Sequence, residues 1–255
     1  MKNSLIIAFL YIIAFCQVNA QNLAGTITYQ QVTRYNFENI RDAHGDNQQT
    51  QDWIASLPEE GTTVQVLSFN STKALFQEDD SEKDATPPGL QRALMYENSL
   101  EPPRQLVKQV YYDFTSNEKL VQVEYLTRFF LVQSEIHALP WKLASEKKMI
   151  LEYTCMAAKV TLKEVEIVAW FTPEIPVPLG PSNYGGLPGM ILAIERNGET
   201  AYLASSVNLS PPAEESLMKP EKGNLISEKE FLSILEEKEK EWKENSRGDV
   251  QNFHR

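Results

Sequence analysis

The sequence predicts a mainly β domain, built as a curved antiparallel sheet or half-open barrel with a C-terminal amphipathic helix. Short runs in which apolar and polar residues alternate follow one another from Gly25 onward. Turn sequences such as Asn197-Gly198 join neighbouring runs at hairpin distance. The alternation gives way to a helical period near the C-terminus. An α+β arrangement is the alternative.

Residues 1–20 have the features of a secretory signal peptide. Lys2 precedes an apolar run at 5–15, and the small residues Val18 and Ala20 occupy the −3 and −1 positions of a cleavage site. The run has about half the length of a membrane span, so cleavage is expected and no transmembrane anchor remains. The expected location is the periplasm or the outside of the cell.

Length and net charge limit the number of domains and the kinds of partner that the protein can have. The 255 residues include 35 acidic and 24 basic side chains, which gives a net charge of −11 and no attraction to phosphate backbones. We therefore expect no nucleic-acid partner. A hydrophobic content of 42% is sufficient for one packed core, and residues 21–244 are predicted to form a single β-rich domain.

Alternating runs predict half-buried strands joined as an antiparallel meander. In chain order they lie at 27–35, 62–69, 73–77, 107–114, 121–125, 128–133, 149–153, 155–162, 165–171, 190–195 and 200–207. Two polar segments separate some of them. Residues 42–51 are predicted to form a solvated loop, and residues 78–89 a loop or a mobile flap.

A helix is predicted at residues 227–244. Ser227 and Glu230 have the spacing of a capping box. Four apolar residues then share one helical face: Phe231, Ile234, Leu235 and Trp242. This face is expected to dock on the sheet, with partner binding as the alternative, and residues 245–255 are expected to form a frayed tail.

Catalytic patterns are scarce. After cleavage the chain keeps one cysteine, Cys155, in a predicted strand without an adjacent histidine. It is a reactive thiol, a metal ligand or an intermolecular bridge, or else a buried small hydrophobic residue, which its strand context favours. The three histidines, including His137, lack metal or catalytic spacing. No metal or cofactor is expected.

The segment between residues 173 and 189 is rich in proline and glycine. Four prolines at 173–181 exclude an inner strand, and Gly185, Gly186 and Gly189 permit close backbone approach around Leu187-Pro188. The segment either holds a ligand or partner at the sheet rim or closes the end of a half-barrel. Leu187-Pro188 is expected to tuck toward the core and to leave 174–180 as an exposed recognition surface. The candidate binding residues are Trp170, Glu174, Pro176, Tyr184, Leu187 and Pro188, and the predicted structural residues are Cys155, Gly185, Gly186 and Gly189.

The hexapeptide Gly186-Leu187-Pro188-Gly189-Met190-Ile191 resembles the signature of the GLPGLI family of exported bacterial proteins, with Met190 in place of a leucine. Residues 141–143, 148–150, 153–155 and 169–176 resemble the family's pattern in the same order. Glu152 and Glu164-Val165 depart from it, where the family commonly has Gly and Gly-Arg. The family has no established activity, so the resemblance implies an exported location and no mechanism. The predicted architecture also resembles LolA-type lipoprotein carriers, whose concave face holds acyl chains, which is an analogy of fold alone.

These observations predict an exported cell-envelope or secreted protein that binds an apolar ligand or an envelope protein partner in a β-sheet groove. A hydrolase or thiol-dependent enzyme that uses Cys155, with His137 or a distant acid, is one alternative. A structural subunit of a cell-surface assembly is another. A buried Cys155 with no histidine nearby would argue against the enzyme, and a solidly packed sheet face would weaken the first hypothesis.

Overall fold

The computed structural model of the protein describes residues 23–45, 47–79, 81 and 86–252; the predicted signal peptide lies outside them. Within these ranges the chain forms twelve strands and four α-helices, which confirms the mainly β prediction. The strands are β1 (Gly25–Arg34), β2 (Glu60–Phe69), β3 (Lys73–Glu78), β4 (Leu106–Asp113), β5 (Glu118–Tyr125), β6 (Arg128–Glu135), β7 (Lys142–Ile150), β8 (Tyr153–Leu162), β9 (Val165–Thr172), β10 (Met190–Arg196), β11 (Glu199–Asn208) and β12 (Asn224–Ser227). The helices are α1 (Glu38–His44), α2 (Gln48–Ala55), α3 (Pro88–Leu100) and α4 (Glu228–Asn252), with a short 3-10 helix at Glu214–Leu217.

All twelve strands belong to one open sheet in the order β12-β6-β5-β4-β3-β2-β1-β11-β10-β9-β8-β7. Neighbouring strands are antiparallel except β12 and β6, which run parallel, so the sheet is mixed rather than purely antiparallel. The hairpin turn at Asn197-Gly198 has φ angles of 50° and 81°, as its sequence predicts.

The connection between β6 and β7 shows how strongly the sheet curls. These strands occupy the second and twelfth positions in the sheet, ten steps apart. At roughly 4.8 Å for each step a flat sheet would separate them by about 48 Å. Only residues 136–141 join them, and this segment reaches at most about 25 Å when extended. The sheet therefore bends until its two ends approach each other without closing.

The largest core cluster begins on one face of β1 to β4. Directly opposite residues of neighbouring antiparallel strands project from the same face. The register places Ile27 opposite Leu67, Leu67 opposite Phe76, and Phe76 opposite Val110. All four side chains are buried, and burial of each contributes about 1.5–3 kcal/mol.

Three helices form a separate cluster beside the sheet, and the sequence prediction missed them. Residues 42–51 were expected to be a loop, but α1 extends to His44 and α2 starts at Gln48. The buried side chains of this cluster are Phe37, Ile40, Ile54, Leu90 and Ala93. The buried carboxylate of Glu97 accepts hydrogen bonds from the Ile40 amide (3.1 Å) and from Asn39 Nδ2 (2.9 Å). These contacts between distant segments explain why the polar local sequence still forms helices.

Helix α4 begins as predicted and ends later. Ser227 N donates to Glu230 Oε2 (2.8 Å) and Glu230 N donates to Ser227 Oγ (3.2 Å), which are the two bonds of a capping box. Phe231 is buried against β5 and β6, so the docking prediction is confirmed for this residue. The helix continues past the predicted end at residue 244 to Asn252.

Candidate functional site

The segment at 173–189 enters the core, which the sequence prediction only partly anticipated. Three of its apolar side chains are buried in the largest core cluster: Ile175, Val177 and Leu179. Glu174, Pro176 and Pro178 alternate with them and are exposed. Met190 N donates to Ile175 O (2.9 Å) and Ile191 N donates to Leu179 O (2.8 Å), so the segment lies against the start of β10. The expectation that residues 174–180 form an exposed surface is wrong for the three buried side chains, because the segment alternates as a strand does.

Two more side chains, near the C-terminal end of the segment, are also buried. Tyr184 and Leu187 are buried in the core cluster of β8, β9 and β10, and the Tyr184 ring meets Tyr202 edge-on with centroids 6.5 Å apart. Leu187 therefore lies where it was expected. Pro188 is exposed, contrary to the expectation that it tucks beneath the sheet with Leu187.

Trp170 and Glu174 make local contacts away from the cleft described below. The Trp170 Nε1 group donates to Glu195 Oε1 at 2.9 Å, and Lys148 Nζ donates to the same oxygen at 2.6 Å. The ammonium of Lys148 also lies 4.1 Å from the centre of the Trp170 ring. The amide of Thr154 donates to Glu174 Oε1 at 3.0 Å. The polar groups of both predicted site residues are thus already engaged within the protein.

Two glycines fix the path of the segment. Gly189 has a φ of +156°, and a Cβ there would lie 2.1 Å from the carbonyl oxygen of Thr172. Gly186 has a φ of +85°, and a Cβ there would lie 2.4 Å from Ala138 Cβ. Glycine is therefore required at both positions for conformational and for steric reasons. Gly185 also approaches another backbone segment closely, since its Cβ would lie 2.9 Å from Pro178 O.

A cleft of about 280 Å³ opens where this segment meets the β4–β5 hairpin and the β6–β7 connection. Its apolar lining includes Tyr112, Phe114, Ile136 and Leu179. The rings of Tyr112 and Phe114 lie 6.3 Å apart at an interplanar angle of 15°, so they form a stacked aromatic surface.

Hydrogen bonds hold both walls of the cleft in place. Trp141 Nε1 donates to Gly185 O at 2.9 Å and ties the β6–β7 connection to the proline- and glycine-rich segment. Within that segment Gly186 N donates to Pro178 O at 2.9 Å. The Ile136 amide bonds to Asn117 O at 3.3 Å and joins the same connection to the β4–β5 hairpin. The cleft is therefore preformed rather than assembled from loose loops.

The rim of the cleft is polar. Asn117, Lys119, His137 and Asn183 contribute to it. Lys119 lies directly opposite Tyr112 and therefore on the same face of the sheet. It is half-buried and forms no ion pair or side-chain hydrogen bond with any residue the structure describes.

Cys155 lies in the largest core cluster and is fully buried, as predicted. Burial raises the pKa of its thiol to about 11, although Lys148, its cross-strand neighbour, acts to lower it. Lys148 is thus a basic neighbour of the thiol, but desolvation has the larger effect on the pKa. No histidine in the described ranges bonds to this thiol, and His137 lies at the cleft rim.

The described part of the chain has neither a cluster of metal ligands nor a membrane-spanning helix. It contains no group of three or more His, Cys, Asp and Glu side chains positioned to hold a metal ion. None of the helices in these ranges combines the length and the apolar composition that crossing a membrane demands.

The proline- and glycine-rich segment that the sequence singles out forms one wall of the cleft, but none of the six candidate binding residues lines it, and the other wall was missed. The proline- and glycine-rich segment was selected because its composition is unusual, and Pro178, Gly185 and Gly186 do line the cleft. Phe114, Lys119 and the other residues of the opposite wall lie in ordinary strands and turns, where no local signal marks them. Only the curl of the sheet brings these regions together.

The fold and the cleft define a mainly β protein with an open curled sheet and a small, partly apolar pocket beside a rigid loop. Residues 159–193 match a family described as Porph_ging, a protein family of unknown function. This match includes the hexapeptide at 186–191, whereas the GLPGLI name and the likeness to LolA-type carriers stay expectations from the sequence. No curated protein matches the chain.

Two crystal structures of PNGF-II, in space groups C2 and P21, have a similar fold. Each superposes with a TM-score of 0.52, at 16% and 17% sequence identity respectively. The similarity covers 85% of this chain and 33% or 34% of the PNGF-II chain. The chain thus spans about a third of the length of PNGF-II, and the likeness concerns the fold alone.

Proposed function

We propose that this chain is an exported, non-enzymatic binding protein whose binding site is the cleft between the proline- and glycine-rich segment and the β4–β5 hairpin. The observation that carries the proposal is the preformed cleft of about 280 Å³, with stacked aromatic rings inside and polar groups at its rim. Ligand sites commonly combine an apolar lining with a few convergent polar groups, in volumes of about 300–1,000 Å³. The cleft lies near the small end of that range and suits a compact ligand or one side chain of a protein partner.

Side chains fill the core where a carrier of long acyl chains would need space. Ile175, Val177 and Leu179 are three of them. The binding site that we propose is therefore the cleft at the rim of the sheet and not the whole concave face. Export itself rests on the predicted signal peptide.

Thiol catalysis at Cys155 is the weaker alternative. The thiolate is the nucleophilic form of cysteine, and burial raises the pKa of this thiol to about 11. A fully buried, protonated thiol without a bonded base is a poor nucleophile.

The edge strand β7 favours the third hypothesis, a subunit of a cell-surface assembly. It is nine residues long, no described strand lies beyond it, and Leu143 is 66% exposed. Free edges of this length can pair with another chain. Lys142, Lys147 and a register shift between Leu143 and Lys147 act against such pairing. We therefore rank this function below binding at the cleft.

Native mass spectrometry of the protein purified from its own host tests the proposal. Asn183→Trp places a large ring at the exposed rim of the cleft, and Thr200→Trp makes the same change on an exposed residue of β11 outside the cleft lining. The wild type and Thr200→Trp are expected to carry the same additional mass, which Asn183→Trp loses. Retention of that mass by Asn183→Trp, or no additional mass in any sample, would contradict binding at the cleft.

A further inference from the structure

We infer that the cleft selects a small aromatic carboxylate, with the ring against the Phe114 side of the cleft and the carboxylate at the ammonium of Lys119. This inference rests on the proposed binding function and specifies its ligand. It depends on three features of the cleft: an uncompensated cation, an aromatic surface and a small volume.

The uncompensated cation is Lys119, because the carboxylates close to it in sequence are engaged elsewhere. Glu118 accepts hydrogen bonds from Lys219 Nζ at 2.7 and 2.9 Å and from Gln133 Nε2 at 2.8 Å. Asp113 accepts from the backbone amides of Thr115 and Ser116 at 2.9 and 3.2 Å. Both alternate in sequence with residues on the Lys119 face, so their side chains point away from it.

The loss of water from Lys119 on binding indicates the charge of the ligand. Lys119 is half-buried and lines the cleft, so a ligand that fills the cleft displaces water from its side chain, and burying an unpaired charge is costly. A neutral carbonyl oxygen can accept a hydrogen bond from the ammonium, but it does not neutralise the positive charge. A carboxylate forms a charge-assisted hydrogen bond of about 2.7–2.9 Å and compensates for it.

The residues that line the cleft indicate the apolar part of the ligand. The exposed part of the stacked Tyr112 and Phe114 pair offers an aromatic surface, and Pro178 and Ile136 line the same space. Offset or edge contacts with another ring are favourable beyond the area that they bury. A volume of about 280 Å³ limits the ligand to about one ring and a short acidic arm.

The test compares 3-phenylpropionate with its neutral analogue 3-phenylpropanamide. Each is titrated into the isotope-labelled full-length protein, and the backbone amides of Asn117, Ile136 and Gly186 report occupancy by NMR. The carboxylate is expected to bind at least tenfold more tightly than the amide. Acetate, which has the charge without the ring, is expected to bind more weakly than 3-phenylpropionate.

Matched variants assign the preference to one group. Lys119→Gln is expected to abolish the tenfold difference, and Lys119→Arg to retain it. Lys147→Gln removes an exposed lysine charge from β7, outside the cleft lining, and is expected to change neither affinity. The NMR spectra of the variants also show whether each remains folded.

Three results would overturn the inference: equal affinity for the two probes, a carboxylate preference that survives Lys119→Gln, or no shift of the cleft amides with either probe. The native mass spectrometry experiment tests the binding function separately from these three results. An additional mass that Asn183→Trp removes, together with equal affinity for the two probes, would leave the binding function standing and reject the aromatic carboxylate as its ligand.

Discussion

Gly189→Ala is expected to destabilise the protein much more than Gly198→Ala, and the structure gives the reason. Both glycines have positive φ angles, +156° and +81°. At Gly198 no atom lies within 4 Å of a Cβ, so the cost is conformational and about 1–2 kcal/mol. At Gly189 the Cβ would meet Thr172 O at 2.1 Å and Thr172 C at 2.6 Å. Backbone atoms there must move, which adds about 1–3 kcal/mol.

The expected loss in the free energy of unfolding is therefore about 3 kcal/mol for Gly189→Ala and about 1 kcal/mol for Gly198→Ala. Urea unfolding followed by tryptophan fluorescence measures both values by linear extrapolation. Gly198→Ala serves as a control with a positive φ angle and no close contact, so the difference reports the contact with Thr172 together with the less accessible φ angle of Gly189. A difference of less than about 0.5 kcal/mol between the two losses would show that the backbone of the segment shifts readily to accommodate a side chain. That result would refute the rigid wall of the cleft.

Three further changes test the core, the buried thiol and the helix cap. Ile175→Ala is expected to cost about 2–5 kcal/mol because it empties a buried site, whereas Pro176→Ala beside it should cost less than about 1 kcal/mol; similar values in urea unfolding would contradict burial of the segment. Cys155→Ser is expected to cost about 1–3 kcal/mol by burying a hydroxyl. Because burial raises the thiol pKa from 9.0 to about 11, the unfolded chain loses this proton first, and wild-type stability should fall over that pH range by an amount that the variant does not show. Rapid thiol labelling of the native protein would count against the burial. Ser227→Ala is expected to cost about 1 kcal/mol by removing the acceptor for the Glu230 amide, and an unchanged urea midpoint would argue against the capping box.

The sheet was predictable because its signals are local. Alternation in runs such as residues 62–69, and positive-φ residues at Asn197-Gly198, specify strands and turns without reference to the rest of the chain. The capping box of α4 depends on two residues three positions apart. Each of these features would form in the same way in many folds.

The three helices and the cleft were not predictable in the same way. Helices α1 and α2 are short and polar, and they depend on contacts with α3, which lies more than thirty residues further along the chain. Short helices are marginal without such packing. The burial of Ile175, Val177 and Leu179 likewise depends on strands β1 to β4, which are distant in sequence.

The position of the cleft follows from the topology of the sheet. A sheet whose second and twelfth strands are joined by residues 136–141 must curl, and this connection must cross the gap that remains between its ends. The segment at 173–189 lies against this connection, because Trp141 Nε1 donates to Gly185 O and Gly186 packs closely against Ala138. A ligand that fills the cleft therefore contacts the β4–β5 hairpin, the β6–β7 connection and the segment at 173–189 at once. Because these three regions come together only in the folded chain, the ligand binds the folded state alone, and at 100 times its Kd it stabilises the folded protein by about 2.7 kcal/mol.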